Sequence, residues 1–186
     1  VWQCRRTTVV CEDLKAAGYE ALIKAKSGLV LDPYFSATKF KWILDNAPTA
    51  KTLLAEGRLL AGTIDTYLMW RLSNGNVHKT DVSNASRTSL MSLETLDWDA
   101  ELLDIFGVPR DILPESGPSS GRFAVTSGVP GVPDGLPVSG VAGDQQSALF
   151  GQACFEPGDA KCTFGTGSFI LMNAGNSPIA SDTGLL

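Results

Sequence analysis

The sequence predicts an α/β fold, in which helices alternate with short strands. Three observations carry this prediction. Residues 7–109 hold several runs with apolar side chains at helical spacing. Residues 137–173 contain three short apolar runs with the pattern of strands, and a helical run lies between the first two. The chain of 186 residues is 44% hydrophobic and 19% charged, which is typical of a globular protein with a core.

The helical runs have recognisable starts and stops. Ser36 is a suitable N-cap for the run that begins at Ala37, while Gly57 and Gly75 follow two other runs as stop signals. Acidic side chains occupy the first turn of the run at 97–109, where they favour a helix N-terminus. The predicted helices are residues 7–26, 37–47, 49–56, 63–75, 97–109 and 145–153.

Extended structure is predicted between and after these helices. The run "GLVLDPYF" (28–35) is apolar and ends in a turn at Asp-Pro. Residues 76–92 are rich in capping and turn residues and should be irregular to extended, and the Gly/Pro/Ser-rich residues 116–137 should lie on the surface. The predicted strands are residues 122–126, 137–142, 160–164 and 168–173.

Charge and composition argue against nucleic acid and membranes as partners. The net charge is −5, and the 15 Lys and Arg residues are scattered, whereas both partners require a concentrated basic surface. No apolar run approaches the ~18 residues of a membrane span. The chain begins "VWQCRR", without an initiator methionine. We therefore expect a piece of a longer cytoplasmic protein.

The four cysteines do not form a metal motif. Cys4 and Cys11 are seven residues apart, Cys154 and Cys162 are eight apart, and His78 is the single histidine. Because no C-x-x-C pair is present, we expect free thiols and no structural zinc.

Asp144, in "GVAGDQQSA" (140–148), has two interpretations. An aspartate directly before a helical run is a good N-cap, and position alone favours this interpretation. However, it follows an apolar strand, at the edge where open α/β sheets bind ligands. Gly143 permits close approach, and Gln145 adds an amide group. A helix N-terminus would also keep Asp144 ionised and able to accept a proton.

The segment "CTFGTGSFILMN" (162–173) also has two interpretations. Two strands around Gly165, Thr166 and Gly167 can be a simple hairpin in which the glycines supply positive φ. The same loop can direct backbone N–H groups and the Thr166 hydroxyl at an anion such as phosphate. No GxxxxGK[ST] motif occurs, so the chain is not a P-loop protein.

Three aromatic residues stand beside these features. Trp2, Tyr34 and Phe169 would by default belong to a core. Tyr34 follows Asp-Pro in a turn and Phe169 lies just after the Gly-Thr-Gly loop, so both are placed where a side chain can line a cleft.

Eight segments occur in an order that resembles a known family. They are "VWQCRRT", "GLVLDPYFSATKFKWIL", "GTIDTYLMWRL", "VHKTDVSNASRTSLM", "TLDWD", "VPRDILPE", "GVAGDQQSALFGQ" and "TFGTGSFILMN". Together they strongly resemble glycerol kinases, members of the carbohydrate-kinase family with the ribonuclease-H-like, actin-like fold. The resemblance runs from end to end and is thinner only at 116–137.

The resemblance implies ATP-dependent phosphorylation of glycerol to sn-glycerol 3-phosphate, with Mg²⁺. It implies that Asp144 is the catalytic base and that Gln145 and Tyr34 hydrogen-bond glycerol. Trp2 and Phe169 match the aromatic walls that pack on the glycerol carbons. The loop Gly165, Thr166 and Gly167 matches the one that meets the nucleotide phosphates.

The same resemblance implies a domain organisation. Residues 1–154 would be the later part of the polyol-binding N-terminal domain, and 155–186 the start of the nucleotide-binding domain. The family's N-terminal phosphate loop, its metal-linked aspartate, an Arg–Glu pair that grips glycerol and the adenine pocket all lie outside this chain. We therefore assign no metal ligand here and expect the isolated chain to be inactive. Family members are often dimers or tetramers, which makes a homo-oligomer the expectation.

Residues required for two forms of regulation in the family are absent from the segment before the GDQQ strand. Some members bind fructose 1,6-bisphosphate through a basic loop before the GDQQ strand, but "GVPGVPDGLP" (128–137) has no Lys or Arg. Other members carry a regulatory phosphorylated histidine near the same place, whereas residues 128–137 contain no histidine. Two alternatives to glycerol kinase stay open: a family member acting on another polyol or a ketose, and a non-catalytic fragment that serves as an interaction module.

Overall fold

A computed structural model of the chain describes residues 2–179, 181 and 184–186. The chain divides into two compact units, Val1–Val141 and Ala142–Leu186. The first unit contains seven of the α-helices in the described residues, and the second contains one.

Helices dominate the first unit. They are α1 (Thr8–Ala16), α2 (Glu20–Ser27), α3 (Ala37–Asn46), α4 (Pro48–Ala55), α5 (Ile64–Leu72), α6 (Val82–Ala85) and α7 (Ala100–Phe106), followed by a 3-10 turn at Arg110–Ile112. Helical structure is present wherever it was predicted in this region, although the first predicted helix is divided in two. α6 is an additional short helix within the segment predicted to be irregular.

The single helix predicted over 7–26 is wrong, because it is broken in two. Gly18 has a φ of +85°, in the left-handed region that favours glycine. The N–H of Gly18 donates to the carbonyl of Lys15 (2.9 Å), and the N–H of Tyr19 donates to that of Leu14 (3.1 Å). These two bonds form the Schellman motif that ends α1, so α2 has to start afresh.

The strands pair two by two. Those of the first unit are β1 (Lys79–Asp81), β2 (Glu115–Gly117), β3 (Ser120–Val125) and β4 (Pro137–Gly140), and those of the second are β5 (Ala160–Phe164) and β6 (Ser168–Met172). β1 and β2 are parallel, whereas β3–β4 and β5–β6 are antiparallel. The second unit also contains α8 (Asp144–Gly151).

The buried apolar side chains belong to the first unit. Phe106 and Leu102 of α7 pack with Ile23 of α2 and with Leu90, and each is at most 1% exposed. A smaller cluster joins Met69 to strand β3. Among the described residues of the second unit, Lys161 alone is buried.

Candidate active site

The turn that carries Tyr34 is held from two sides. The Asp32 carboxylate accepts a hydrogen bond from the Tyr34 N–H (2.7 Å). Lys39, in the first turns of α3, reaches back and donates to the carbonyls of Pro33, Tyr34 (2.9 Å) and Phe35 (3.3 Å). Burial lowers the pKa of the Lys39 ammonium. These contacts fix the backbone that carries Tyr34.

The structure brings Trp2 and Tyr34 together. Their ring centroids are 5.6 Å apart with the planes tilted by 51°, within the range of favourable aromatic pairs. The Trp2 side chain is 46% exposed and Tyr34 is half-buried. The default expectation that these two aromatics belong to a core is therefore wrong. They present an aromatic surface that is open to solvent.

Arg87 extends this aromatic surface. Its guanidinium carbon lies 5.1 Å from the ring centroid of Phe35, which contacts Tyr34 edge-on at 5.1 Å. Burial lowers the pKa of Arg87. Within the described residues it forms no ion pair, so the ring face of Phe35 is the main partner of its charge.

A buried carboxylate anchors the segment that leads to Arg87. Asp81 is fully buried and accepts hydrogen bonds from the backbone and side chain of Ser83, from the backbone and side chain of Asn84, and from the hydroxyl of Ser119 (2.6 Å). Burial on its own would raise the pKa of Asp81, but the hydrogen bonds outweigh it and lower that pKa below its ordinary value. Asp81 therefore caps α6 and has a structural role.

Asp144 is the first residue of α8, and the N-cap is Gly143. The interpretation of Asp144 as the N-cap is therefore wrong. Its side chain is exposed, and the carboxylate accepts from the Gln145 N–H (2.9 Å) and from the Gln145 side-chain amide (3.3 Å). An exposed carboxylate at the start of a helix is accessible to a proton donor.

Gln145 is held on its other side by Lys161. The Lys161 ammonium donates to the side-chain oxygen of Gln145 and to the hydroxyl of Thr163 (2.8 Å). Lys161 and Thr163 lie two residues apart on β5, so both point to the same face of the hairpin. Helix α8 and strand β5 thus share a polar cluster made of Asp144, Gln145, Lys161 and Thr163.

The predicted hairpin is present, but its glycines have a different role from the one expected. Gly165 and Gly167 are absent from the glycines with positive φ, so that expectation is wrong. The N–H of Gly165 donates to the carbonyl of Gly167 (3.1 Å). A Cβ at Gly167 would lie 2.7 Å from the Phe169 ring, closer than such atoms approach. Gly167 is therefore required by the position of Phe169, which is half-buried and pairs across the hairpin with Thr163.

The loop leaves hydrogen-bond donors open. Thr166 is exposed, and within the described part of the chain neither its backbone N–H nor its hydroxyl has a partner. Such donors suit the oxygens of a phosphate group. By contrast, the described residues contain no cluster of three His, Cys, Asp or Glu side chains that could hold a metal ion. Cys4, Cys11, Cys154 and Cys162 are free thiols.

The predicted site residues thus form two groups, one in each unit. Trp2 and Tyr34 meet in the first unit, whereas the second holds Asp144, Gln145, Phe169 and the Gly-Thr-Gly loop. Sequence reasoning missed Lys39, Arg87 and Lys161. The alternation of β5 was a usable signal for Lys161, since it places residue 161 on the same face as Thr163.

No helix among residues 2–179, 181 and 184–186 is long and apolar enough to cross a membrane.

Comparisons with known proteins identify relatives along the whole chain. Residues 1–151 match the model of the N-terminal domain of the FGGY family of carbohydrate kinases. The chain is 59% identical over all its 186 residues to a glycerol kinase of Bdellovibrio bacteriovorus and covers 38% of that protein. It is 55% identical, again over its full length, to a glycerol kinase of Thermus thermophilus, of which it also covers 38%. The chain thus spans less than two fifths of these curated relatives.

Solved structures agree with the sequence relatives. Plasmodium falciparum glycerol kinase with ADP superposes with a TM-score of 0.86 at 39% identity, covering 92% of this chain and 34% of that one. A xylulose kinase from Lactobacillus acidophilus superposes at 0.74 with 24% identity, over 91% of this chain and 34% of that one, which supports the fold alone. The predictions of an α/β, ribonuclease-H-like fold and of a resemblance to glycerol kinases are confirmed. The chain belongs to the FGGY family of carbohydrate kinases.

Proposed function

We propose that the chain is part of a glycerol kinase that transfers the γ-phosphoryl group of ATP to glycerol and forms sn-glycerol 3-phosphate. The observation that carries the proposal is identity of 54–59% to curated glycerol kinases over the full 186 residues of the chain. Because those relatives are much longer, the activity belongs to a full-length kinase that contains this chain with the flanking segments of its relatives.

Asp144 is the general base in this proposal. The hydroxyl oxygen of glycerol attacks the γ-phosphorus, ADP leaves, and the hydroxyl proton passes to the Asp144 carboxylate. Its exposure and its place in the first turn of α8 support this role, because the carboxylate is accessible to a substrate hydroxyl. Phosphoryl transfer requires positioning and charge stabilisation more than covalent chemistry, so one well-placed carboxylate suffices as the base.

Glycerol is recognised by polar and aromatic side chains. Gln145 and Tyr34 hydrogen-bond its hydroxyl groups, and Trp2 and Phe169 cover its carbon atoms. A three-carbon polyol offers little surface, so a few fixed polar groups and apolar walls carry its recognition. Two observations support these roles: hydrogen bonds fix the backbone that carries Tyr34, and the Phe169 ring lies close to Gly167.

Gly165, Thr166 and Gly167 contact the nucleotide phosphates. The open N–H and hydroxyl of Thr166 support this assignment. A Mg²⁺ ion bound with the nucleotide would neutralise phosphate charge, and we assign it no ligand in this chain. Residues 1–154 and 155–186 are assigned to the polyol-binding and nucleotide-binding domains of a cytoplasmic enzyme that forms a dimer or tetramer.

A substrate panel on the full-length kinase tests the proposal. ATP consumption is measured with glycerol, xylulose and other small polyols or ketoses, and the product of the best substrate is identified. We expect the highest kcat/KM with glycerol and sn-glycerol 3-phosphate as the product. A higher kcat/KM with a ketose would identify a different family member, and no turnover of any substrate would favour a non-catalytic interaction module.

Two further expectations concern the activity of the isolated chain and the regulation of the full-length kinase. The 186-residue chain alone should show no glycerol-dependent ATP turnover, because the phosphate loop and adenine pocket of the relatives lie outside it. The full-length kinase should be insensitive to fructose 1,6-bisphosphate, since residues 128–137 contain no basic side chain. Detectable turnover by the chain, or tight inhibition by the bisphosphate, would contradict these expectations.

A further inference from the structure

Lys161 occupies an unusual position in the second unit. It is 3% exposed, and it is the one described residue of that unit that is buried. Burying an ammonium group is costly unless hydrogen bonds compensate for the lost water. Because no apolar side chain is buried among the described residues of the unit, packing does not explain the buried lysine.

The partners of Lys161 are neutral. Its ammonium donates to the side-chain oxygen of Gln145 and to the hydroxyl of Thr163 at 2.8 Å. Within the described residues it forms no ion pair with an acidic side chain. The Lys161 ammonium thus takes part in no ordinary salt bridge among the described residues, and its main contact is with the side-chain amide of Gln145.

That contact fixes which way the amide points. An ammonium can only donate, so it selects the oxygen of the Gln145 amide. The NH₂ group must then face the other way, where it lies 3.3 Å from a carboxylate oxygen of Asp144. Without Lys161, this orientation of the amide depends on the 3.3 Å contact with the Asp144 carboxylate alone.

We propose that Lys161 is a positioning residue that fixes the Gln145 amide with its NH₂ group toward Asp144 and the substrate hydroxyl. This inference rests on the proposed function. The predicted consequence is that Lys161 acts on glycerol phosphorylation only through Gln145.

A double-mutant cycle on the full-length kinase tests this coupling. Lys161→Met, Gln145→Ala and the double variant are compared with the unaltered kinase. We expect Lys161→Met to raise the KM for glycerol by about tenfold to a hundredfold, as the loss of a hydrogen bond to a charged group does. On the Gln145→Ala background the same change should alter that KM by less than about twofold, because coupled residues are not additive.

Controls separate positioning from folding. Lys161→Arg, which keeps a donor-only side chain, should retain the KM for glycerol within about threefold. Lys79→Met, which removes a half-buried lysine of the first unit that pairs with the exposed Glu115 at 3.5 Å, should leave the KM for glycerol unchanged. If Lys161→Met does not fold, the cycle is run with Lys161→Gln, whose amide no longer selects one orientation of Gln145.

Additive effects in the cycle, or an unchanged KM for glycerol in Lys161→Met, would overturn the inference and leave the proposed function standing. Absence of glycerol turnover in the unaltered kinase would overturn both. The two failures are therefore distinguished by the unaltered enzyme alone.

Discussion

The two units of the chain differ in what holds them together. The first unit buries Phe106, Leu102 and Ile23 to 1% exposure or less, whereas the second leaves Phe150 72% and Phe164 81% exposed. The one buried residue among those described in the second unit is charged. The side chains proposed for proton transfer and phosphate binding thus belong to the unit with less apolar packing. There, hydrogen bonds rather than a core hold Asp144 and Gln145.

The distribution of tryptophan makes this comparison measurable. Trp2, Trp42, Trp70 and Trp98 all lie in the first unit. Tryptophan fluorescence during denaturation therefore reports on the unfolding of the first unit alone. Activity of the full-length kinase reports on the residues proposed for chemistry in the second.

The largest expected effect is the loss of a core phenylalanine. Phe106→Ala should lower the free energy of unfolding of the first unit by about 3–5 kcal/mol, because it creates a cavity in the core. The matched change Phe164→Ala removes an exposed ring of the second unit and should change the same quantity by less than about 0.5 kcal/mol. Denaturant titration of the 186-residue chain, followed by tryptophan fluorescence, measures both. Equal losses in the two variants would show that the units are not energetically distinct.

A smaller but still large effect is expected at Asp81. Asp81→Asn should cost about 2–4 kcal/mol of unfolding free energy, because a charged acceptor of five hydrogen bonds is lost from a buried position. Asp45→Ala, at an exposed pair with Lys41 at 3.1 Å, should cost less than about 0.5 kcal/mol. The same titration compares them.

The pH dependence of stability checks the cause of the Asp81 effect. The folded pKa of Asp81 is lowered, so its contribution is complete above the unfolded value near about 3.9 and is lost as the pH falls through the folded pKa. The free energy of unfolding of the unaltered chain should therefore approach that of Asp81→Asn as the pH falls below about 4. A difference that stays constant down to the acid limit would mean that ionisation of Asp81 does not contribute.

The smallest expected effect concerns the position of a ring in the second unit. Gly167→Ala places a Cβ 2.7 Å from the Phe169 ring and should displace it. We expect the KM of the full-length kinase for glycerol to rise by about fivefold to tenfold, in line with the cost of overpacking. The matched change Gly151→Ala meets no atom within 4 Å and should leave that KM unchanged. An unaltered KM in Gly167→Ala would show that the position of the Phe169 ring does not affect glycerol binding.

Local patterns predicted the order of elements but not every boundary. The helix at 7–26 was predicted whole because its apolar stripe continues, whereas the Schellman motif at Gly18 ends α1. Asp144 was a plausible N-cap by residue type, yet helix α8 starts one residue earlier than predicted and leaves Gly143 in that place. Such differences of one residue are set by backbone geometry that residue preferences do not determine.

The site was predicted only in part for a related reason. The resemblance pointed to the residues proposed to touch substrate, since these lie in recognisable motifs. Lys39 and Lys161 act on other residues through contacts between segments, and a single sequence does not show which backbone carbonyls or amides they will reach. The need for Gly167 likewise depends on where the Phe169 ring lies.

The most direct test of the account is Asp144→Asn in the full-length kinase, with turnover and glycerol binding measured side by side. Asp134→Asn, at another exposed aspartate whose carboxylate accepts from the Gly128 N–H at 2.7 Å, is the control. We predict that kcat falls by about a hundredfold to ten-thousandfold in Asp144→Asn, as the loss of a general base does, while glycerol still binds. Unchanged turnover in Asp144→Asn would contradict the account and return Asp144 to a structural role at the start of α8.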